Sequence, residues 1–301
     1  MRWVLCCAAA LAAACLPPIP KSAVAPGPPA ARGTGTLCRL TGETLNRPLL
    51  FGVADFSFQT WHSVIGTVVV RRPEGMLVID PAFGTSIEDD LKKSGLFFKL
   101  IMGSGHGKTP VVQSMDAAGI DPYAVKWIAL THAHWDHTGA IRDLARAQVK
   151  LSRAELEAHW NLKGHVVNGA MPHHLAVPEG RFAPFDFDGP PLLGFESSHD
   201  LFGDGSVVAV PTPGHTPGSA SYLVRGDDGK AWFFIGDATW TVEGVKRPAH
   251  KNPLVSAALD HDTRALAQTL AKIHAVGQLP DITVVPAHDL AAFGQLPECT
   301  R

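Results

Sequence analysis

The sequence predicts an α/β fold, a four-layer αββα sandwich in which two mixed β-sheets pack face to face with helices outside. Short apolar runs bounded by turn residues are typical of strands, and helical patterns follow strands in each half of the chain. The 301 residues are 46% hydrophobic and 18% charged, a composition that can bury a large core. No Ser/Gly/Pro-rich linker interrupts the middle of the sequence. We therefore expect one folded domain, residues 36–301.

The N-terminus has the pattern of an export signal. Arg2 precedes an apolar run, Val4–Ala14, that is much shorter than the roughly 20 residues needed to span a bilayer. Small residues before Cys15 resemble a bacterial lipobox, in which the cysteine is lipidated. We therefore expect residues 1–15 to be a signal peptide and a lipidated Cys15 to anchor the protein to a membrane. The alternatives are a soluble secreted protein and a leader without a role in export.

Residues 16–35 are rich in Pro, Ala and Gly and lack a periodic apolar pattern. This composition predicts a disordered tether between the leader and the domain. We therefore expect an exported protein of the bacterial envelope, either periplasmic or attached to the membrane.

The first half of the domain contains three predicted strands and one predicted helix. Val64–Val70 and Met76–Ile79 are apolar runs on either side of residues 71–75, which indicates a hairpin with a five-residue loop. Val125–Leu130 reads as a buried strand, and Ala140–Ala147 has the composition of a helix. Polar side chains that follow a strand and precede a helix lie where α/β sheets bind ligands.

The second half of the domain also contains predicted strands and a predicted helix. Asp262 can cap a helix whose Leu266, Leu270 and Ile273 form one apolar stripe. Residues 225–229 form a predicted turn between two of the strands. The predicted strands are Val207–Val210, Ser219–Val224, Ala231–Ile235 and Ile282–Val285.

Only two of the five cysteines fall in the predicted domain, because Cys6, Cys7 and Cys15 belong to the leader. In an oxidising compartment, Cys38 and Cys299 could form a disulfide that joins the two ends of the domain. Two unpaired thiols are an equally good interpretation of the sequence.

The densest group of chemically active residues follows the strand Val125–Leu130. His132, His134, Asp136 and His137 lie within six residues of one another. Burying four unpaired polar side chains would carry a desolvation penalty, whereas imidazole nitrogens and carboxylate oxygens are good ligands for Zn²⁺. The cluster therefore predicts a metal site.

This cluster and three later motifs resemble the metallo-β-lactamase superfamily. The family signature His-x-His-x-Asp-His is followed here by His215 after Pro213-Gly214, by Asp237 after Gly236 and by His288 after Ala287. The resemblance extends from about Val64 to Asp289 and implies two divalent metal ions, most simply Zn²⁺. It implies a first group of His132, His134 and His215, a second group of Asp136, His137 and His288, and Asp237 as the bridge between them. Asp80 matches an aspartate that precedes the signature in this family. It usually supports the metal ligands without binding the metal itself.

Such a site implies hydrolysis. Two cations hold a hydroxide between them near neutral pH and leave positions open for a substrate oxygen. Asp136 is the expected catalytic residue, because it could orient the nucleophile or transfer a proton to the leaving group.

The substrate is less closely defined. Asp200–Ser206, Thr212–Ser219 and Gly236–Ala238 resemble the lactonase-related branch, which includes acyl-homoserine lactonases. In those enzymes a tyrosine commonly stands three residues after the bridging aspartate, where this chain has Trp240. We expect hydrolysis of a lactone, ester or thioester. The alternatives are a β-lactamase or other amide hydrolase and, in another class, a non-catalytic periplasmic zinc-binding protein.

Charge and composition restrict the partners. The formal net charge of −2 gives no support for nucleic-acid binding, so we expect a small-molecule substrate, and the oligomeric state is left open. Trp61, Trp135 and Trp240 could wall a hydrophobic pocket, although core packing explains each of them at least as well. The remaining candidates, expected in solvated loops, are His173, His174 and His199.

Overall fold

Two mixed β-sheets form the centre of the computed structural model, which describes residues 16–23, 35–54, 59–94 and 108–300. Within these residues, one sheet has six strands and the other has five. The first sheet contains, in order, β1 (Thr36–Pro48), β2 (Thr60–Arg72), β3 (Gly75–Ile79), β4 (Val125–Ala129), β5 (Gln148–Ser152) and β6 (Phe182–Phe185). β1 to β3 are antiparallel, whereas β3 to β6 are parallel.

The second sheet has the strand order β11-β10-β9-β8-β7. Only the pair β10 and β11 is parallel among its described pairs. The strands are β7 (His199–Asp200), β8 (Val207–Pro211), β9 (Ala220–Arg225), β10 (Ala231–Phe234) and β11 (Ile282–Val285). Every strand predicted from an apolar run is present, with ends that differ by a few residues.

Helices connect the strands. The described α-helices are α1 (Ile87–Lys93), α2 (Val111–Ala117), α3 (Trp135–Thr138), α4 (Arg153–Trp160), α5 (Val242–Lys246), α6 (Pro253–Leu259), α7 (Thr263–Val276) and α8 (Leu290–Phe293). Short 3-10 helices occur at Leu49–Phe51, Pro122–Ala124, Gly139–Ile141, Pro172–Leu175 and Glu179–Arg181.

Apolar side chains pack in three layers because successive residues of a strand point to opposite faces of its sheet. Val68 and Leu77 of the first sheet pack against Tyr222 and Val224 of the second, so this layer lies between the sheets. Their neighbours Val69 and Val78 belong to a different cluster, on the outer face of the first sheet.

Helices cover both outer faces. Val111 and Met115 of α2 belong to the cluster on the outer face of the first sheet. Three residues of α7 lie against Leu223 and Phe233 on the outer face of the second sheet: Leu266, Leu270 and Ile273. The predicted αββα sandwich is confirmed.

The predicted N-cap of α7 is also confirmed. The Asp262 carboxylate accepts hydrogen bonds from the backbone N–H groups of Arg264 and Ala265, at 2.8 and 3.0 Å. These bonds satisfy donors that have no partner inside the helix.

The predicted five-residue loop between β2 and β3 is wrong. Arg72 pairs with Gly75 across the hairpin, so Pro73 and Glu74 alone form the loop. Both strands extend beyond their apolar runs through this pair, and the Arg72 side chain has partners in the second half of the chain. Its guanidinium lies 3.8 Å above the ring of Phe202 and donates a hydrogen bond of 2.8 Å to Asp204.

The predicted helix Ala140–Ala147 is wrong as well. After the 3-10 helix Gly139–Ile141 the chain makes turns and enters β5. The Arg181 guanidinium stabilises these turns, because it donates hydrogen bonds of 2.8–3.0 Å to the backbone carbonyl groups of Ile141, Leu144 and Ala147. Carbonyl groups held by a distant side chain do not have to accept from the next helical turn.

The predicted leader, residues 1–15, and residues 24–34 of the predicted tether lie outside the described residues. Residues 16–23 have no helix or strand and lie against the domain. Pro17 contacts His250 through its carbonyl oxygen at 3.0 Å, and Ile19 packs against the apolar cluster of α7. No described helix is long and apolar enough to cross a bilayer.

Cys38 and Cys299 form a disulfide, which decides between the two interpretations of the sequence. The bridge joins β1 to the C-terminal segment. Two backbone hydrogen bonds accompany it, from Arg39 N to Pro297 O at 2.8 Å and from Cys299 N to Arg39 O at 3.0 Å.

Removing this disulfide is expected to destabilise the fold. The bridge spans 261 residues, so the double substitution Cys38→Ala and Cys299→Ala releases a long loop in the unfolded chain. We expect a loss of about 2–4 kcal/mol in the free energy of unfolding, measured with urea. Reductant should lower the wild-type value to that of the double variant and leave the variant unchanged. Equal stability of the wild type with and without reductant would contradict the prediction.

Candidate metal centre

Buried imidazole and carboxylate side chains meet at the carboxyl ends of four strands. His132 and His134 follow β4, and Asp136 and His137 lie on α3. The loops after β8, β10 and β11 contribute His215, Asp237 and His288. All seven residues are at most 8% exposed. The structure thus brings together every side chain that the sequence motifs selected as a metal ligand.

The seven side chains form two groups. In the first, His134 Nδ1 lies 2.9 Å from His215 Nε2, and the ring of His132 packs edge-on against both rings. In the second, His288 Nε2 lies 3.5 Å from Asp136 Oδ2, and His137 Nε2 lies 3.9 Å from Asp136 Oδ1. The potential ligand atoms within each group lie within 4.8 Å of one another.

Asp237 lies between these groups. Its Oδ2 is 3.6 Å from His215 Nε2 in the first group. Its Oδ1 is 3.0 Å from His288 Nε2 and 3.4 Å from His137 Nε2 in the second. One carboxylate therefore presents an oxygen to each group, as a bridging ligand requires.

Hydrogen bonds to the outer ring nitrogens orient the histidines. Nδ1 of His288 contacts the carbonyl oxygen of Val64 at 3.0 Å, and Nδ1 of His215 contacts Asp260 at 2.7 Å. These acceptors hold a proton on Nδ1 and direct Nε2 into the cluster, where it can bind a metal ion.

The chemistry of the donor set fits metal ions. His132 Nε2, His137 Nε2 and Asp237 Oδ1 are buried and make no hydrogen bond within the described residues. Buried polar atoms without partners are costly, and a bound cation would satisfy all three.

The electrostatics of the two groups differ. Burial and neighbouring imidazoles lower the pKa of His132 and of His134 well below the ordinary value, so both rings are neutral near neutral pH. Burial also opposes protonation of His137 and His288, but nearby carboxylates outweigh it and raise the pKa of both. Burial raises the pKa of Asp237, yet the charges of His288 and His137 hold it well below its usual range. The negative charge that retains protons on these rings would equally attract a metal cation.

Asp80 supports this site, as the resemblance implied. Its carboxylate accepts from Thr131 N at 2.8 Å and from Thr131 Oγ1 at 2.7 Å, and it lies 2.9 Å from His137 Nδ1. Thr131 Oγ1 in turn lies 3.1 Å from His132 Nδ1. Asp80 therefore orients one histidine of each group.

Two further carboxylates support the site, and sequence reasoning missed both. Glu155 accepts from Ala133 N at 2.7 Å, Thr216 Oγ1 at 2.7 Å and Gly218 N at 2.9 Å, which ties the loops of His134 and His215 together. Asp260 orients His215 and accepts from the buried Lys251 at 2.8 Å. Neither belongs to a short motif, so no local signal in the sequence identifies them.

Glycines immediately before two of the candidate ligands are required by the backbone. Gly214 has φ +130°, and a Cβ there would lie 2.4 Å from the backbone nitrogen of Leu266. Gly236 has φ +51°, and a Cβ there would lie 2.7 Å from Thr131 Oγ1. The Gly-His and Gly-Asp pairs in the motifs therefore reflect turns that a larger residue would strain.

A cavity of about 420 Å³ opens onto the cluster. Its wall includes His134, Asp136, Asp237 and His288 from both groups. The rest of the wall is largely apolar and includes Phe51, Trp61, Ile65, Trp135, Trp240, Val255 and Leu259. The three tryptophans named from the sequence therefore line the pocket.

Trp240 donates its indole N–H to Asp237 Oδ2 at 2.7 Å. Its ring stacks against Trp61 and meets the ring of His288 edge-on. Trp240 thus contributes both to the apolar wall and to the position of the central carboxylate.

The other candidate histidines lie away from this cavity. His174 is buried and His173 is half-buried on the 3-10 helix Pro172–Leu175, where both contact Asp90. His199 is half-buried in β7 and stacks on Phe185. The expectation of solvated loops is wrong because each of these rings has a carboxylate or aromatic partner.

Comparison with known proteins agrees with this geometry. Residues 65–288 match the metallo-beta-lactamase superfamily. The chain belongs to this superfamily. It is 31% identical to the N-acyl homoserine lactonase AttM of Agrobacterium fabrum over 196 residues, which are 62% of this chain and 68% of that protein. The chain is a hydrolase of the superfamily and resembles its lactonase-like branch.

Solved structures show the same fold. A variant of AiiA from B. thuringiensis, with N-decanoyl-L-homoserine bound at its active site, has a TM-score of 0.67 and 15% identity over 88% of this chain and 98% of that one. An N-acyl homoserine lactone hydrolase, with N-hexanoyl-L-homoserine bound at its catalytic metal centre, has a TM-score of 0.66 and 14% identity over the same shares.

Substituting Trp240→Phe is expected to weaken metal binding. The variant keeps an aromatic ring in the wall but removes the hydrogen bond to Asp237. Loss of a partner that orients a metal ligand typically lowers metal affinity or activity about 10–100-fold. Zinc affinity measured by competition with a chelator tests this, with Trp160→Phe at the surface as the matched control. Equal zinc affinity and activity in Trp240→Phe and wild type would contradict the role of the indole N–H.

Proposed function

We propose that this hydrolase opens lactones that carry an apolar acyl chain, with N-acyl homoserine lactones as the first substrates to test. The observation that carries the proposal is the largely apolar cavity of about 420 Å³ that opens onto both groups of the histidine and aspartate cluster. A ligand pocket of this size and character fits a small molecule with an apolar chain. Curated relatives named as N-acyl homoserine lactonases support the same substrate class.

The proposed ligands follow the two groups. His132, His134 and His215 would hold one divalent ion, and Asp136, His137 and His288 would hold a second, with Asp237 shared between them. Nitrogen and carboxylate donors of this kind favour Zn²⁺. Bound there, the two ions would activate water near neutral pH and polarise the substrate carbonyl.

The chain's own residues position the substrate and move the proton. Asp136 lines the cavity and lies 3.5 Å from His288, so its carboxylate is placed to orient the attacking water or to pass a proton to the leaving oxygen. Arg47 and Ser63 line the same cavity and offer donors to a substrate oxygen.

Trp61 contributes to the apolar wall. It lines the cavity, is 6% exposed, and its ring stacks against that of Trp240. We assign to these two rings the binding of the apolar acyl chain.

The disulfide between Cys38 and Cys299 supports export of the protein, because such bonds persist in oxidising compartments. A periplasmic or membrane-anchored location through Cys15, and the division into leader, tether and domain, stay predictions from the sequence.

A substrate panel assayed on zinc-loaded protein tests the proposed function. The panel contains N-acyl homoserine lactones of several chain lengths, simple lactones, thioesters and β-lactams. We expect turnover of lactones with a preference for apolar acyl chains. Protein that holds two zinc ions and hydrolyses β-lactams but no lactone would instead favour an amide hydrolase. Two bound ions without turnover of any substrate would overturn the catalytic proposal.

Replacing His215 by alanine is expected to abolish or weaken the binding of a metal ion by the first group. Hydrolysis should be lost while the fold persists. His215 is the only one of the first three ligands that lies outside the loop after β4, so its loss removes a ligand without altering that loop. Zinc content, activity and circular dichroism measure the three effects. His199→Ala is the matched control. Wild-type activity and metal content in His215→Ala would show that the ligand assignment is wrong.

A further inference from the structure

Outside the metal centre, a second group of imidazoles surrounds the buried carboxylate of Asp90 on α1. His173 Nε2 lies 2.7 Å from Asp90 Oδ1, and His174 Nε2 lies 3.1 Å from Asp90 Oδ2. The potential ligand atoms of these three residues lie within 4.8 Å of one another. His165 adjoins them, with its ring stacked on His173 and its Nε2 at 3.0 Å from the backbone oxygen of Asp90.

The hydrogen bonds of His174 determine where its proton lies. Thr138 donates its hydroxyl hydrogen to the backbone oxygen of His134 at 2.9 Å. Thr138 Oγ1 must therefore accept from His174 Nδ1, which lies 3.0 Å away. This hydrogen bond directs His174 Nε2 at the Asp90 carboxylate, 3.1 Å away. A cation bound by Asp90 would therefore have this nitrogen within reach.

The charges in this group also favour a cation. Burial raises the pKa of Asp90, but hydrogen bonds from His174, Ser86 and His173 hold it well below its usual range, so Asp90 is ionised. Burial and the neighbouring His174 lower the pKa of His173 despite the nearby carboxylate. A carboxylate that is only 3% exposed thus faces imidazole nitrogens, and buried charges need compensation.

We propose that Asp90, His173 and His174 bind an additional divalent ion, Zn²⁺ or a similar first-row ion, outside the centre described above. Two imidazoles and one carboxylate are a common ligand set for such ions. The separations of 2.7 and 3.1 Å are close to the 2.9 Å between His134 Nδ1 and His215 Nε2 in the main cluster. The proposal does not rest on the proposed function, because none of its three ligands lines the large cavity.

The proposed ion would act on the wall of the cavity. It joins α1 to the 3-10 helix Pro172–Leu175, which follows Gly169 in the chain. Gly169 lines the cavity and its carbonyl oxygen accepts from Trp135 N at 3.0 Å. An ion at Asp90 would therefore fix the segment that forms this part of the wall.

Zinc stoichiometry tests the proposal. Wild-type protein saturated with Zn²⁺ and freed of excess metal should hold one zinc ion per chain more than Asp90→Asn and more than His173→Gln. The difference does not depend on how many ions the main centre holds, so failure of the proposed function leaves this test valid. His199→Gln is the matched control. His199 also contacts a carboxylate, that of Asp188 at 3.2 Å, but this pair contains one imidazole and not two. The control should keep the wild-type zinc content.

A second measurement needs no substitution. Anomalous diffraction at the zinc absorption edge, from crystals of zinc-loaded wild type, should show a peak between Asp90, His173 and His174. Equal zinc content in the wild type and both variants would overturn the proposal. So would a map without a peak at this position.

Discussion

The position of the candidate metal centre depends on one buried carboxylate, that of Asp80. Asp80 directly follows β3 and has φ +49°, a backbone conformation that aspartate tolerates better than most residues. From there it binds the backbone and hydroxyl of Thr131 and contacts His137. The backbone oxygen of Thr131 accepts from Ala220 N at 2.8 Å, at the start of β9 in the other sheet. Asp80 therefore fixes the histidine-rich loop against both sheets.

The parts of the fold that could be predicted are those with a local apolar signal. Strands such as Val207–Pro211 lie in the core, and their apolar runs identify them without knowledge of their partners. β1 was missed because its residues, TLCRLTGETLNRP, contain no continuous apolar run and include a glycine, and its pairing with β2 supplies the missing stability. The wrong prediction of a helix at Ala140–Ala147 also involves a distant contact, because Arg181, more than 30 residues later, donates hydrogen bonds to carbonyl groups of this segment.

The candidate site likewise contains some residues that the sequence identifies and others that it does not. Its seven proposed ligands lie in four short motifs, each at the end of a strand. The density of the first motif predicted a metal site, and the resemblance of all four motifs to a known family was enough to name the full set. Glu155 and Asp260 could not be named, because each acts through contacts with loops that are distant in the sequence. A carboxylate on a helix has no local feature that separates a support of the site from a solvated charge. The contacts of His173 and His174 with Asp90 were missed for the same reason, because Asp90 lies more than 80 residues before both histidines.

Trp240 shows why the ligand set does not by itself select the substrate. Its indole N–H already donates to Asp237, so it does not take the place of a tyrosine hydroxyl that donates to a substrate. The chain has only two tyrosines, and the buried Tyr222 donates to the backbone oxygen of Leu130 instead. Under the proposed function, recognition of the substrate then falls to the cavity wall, where Arg47 and Ser63 lie among apolar side chains. Since a hydrophobic wall discriminates weakly between chains that differ by one methylene, chain length alone should change the rate only modestly, whereas the placement of polar groups should decide which acyl compounds are bound.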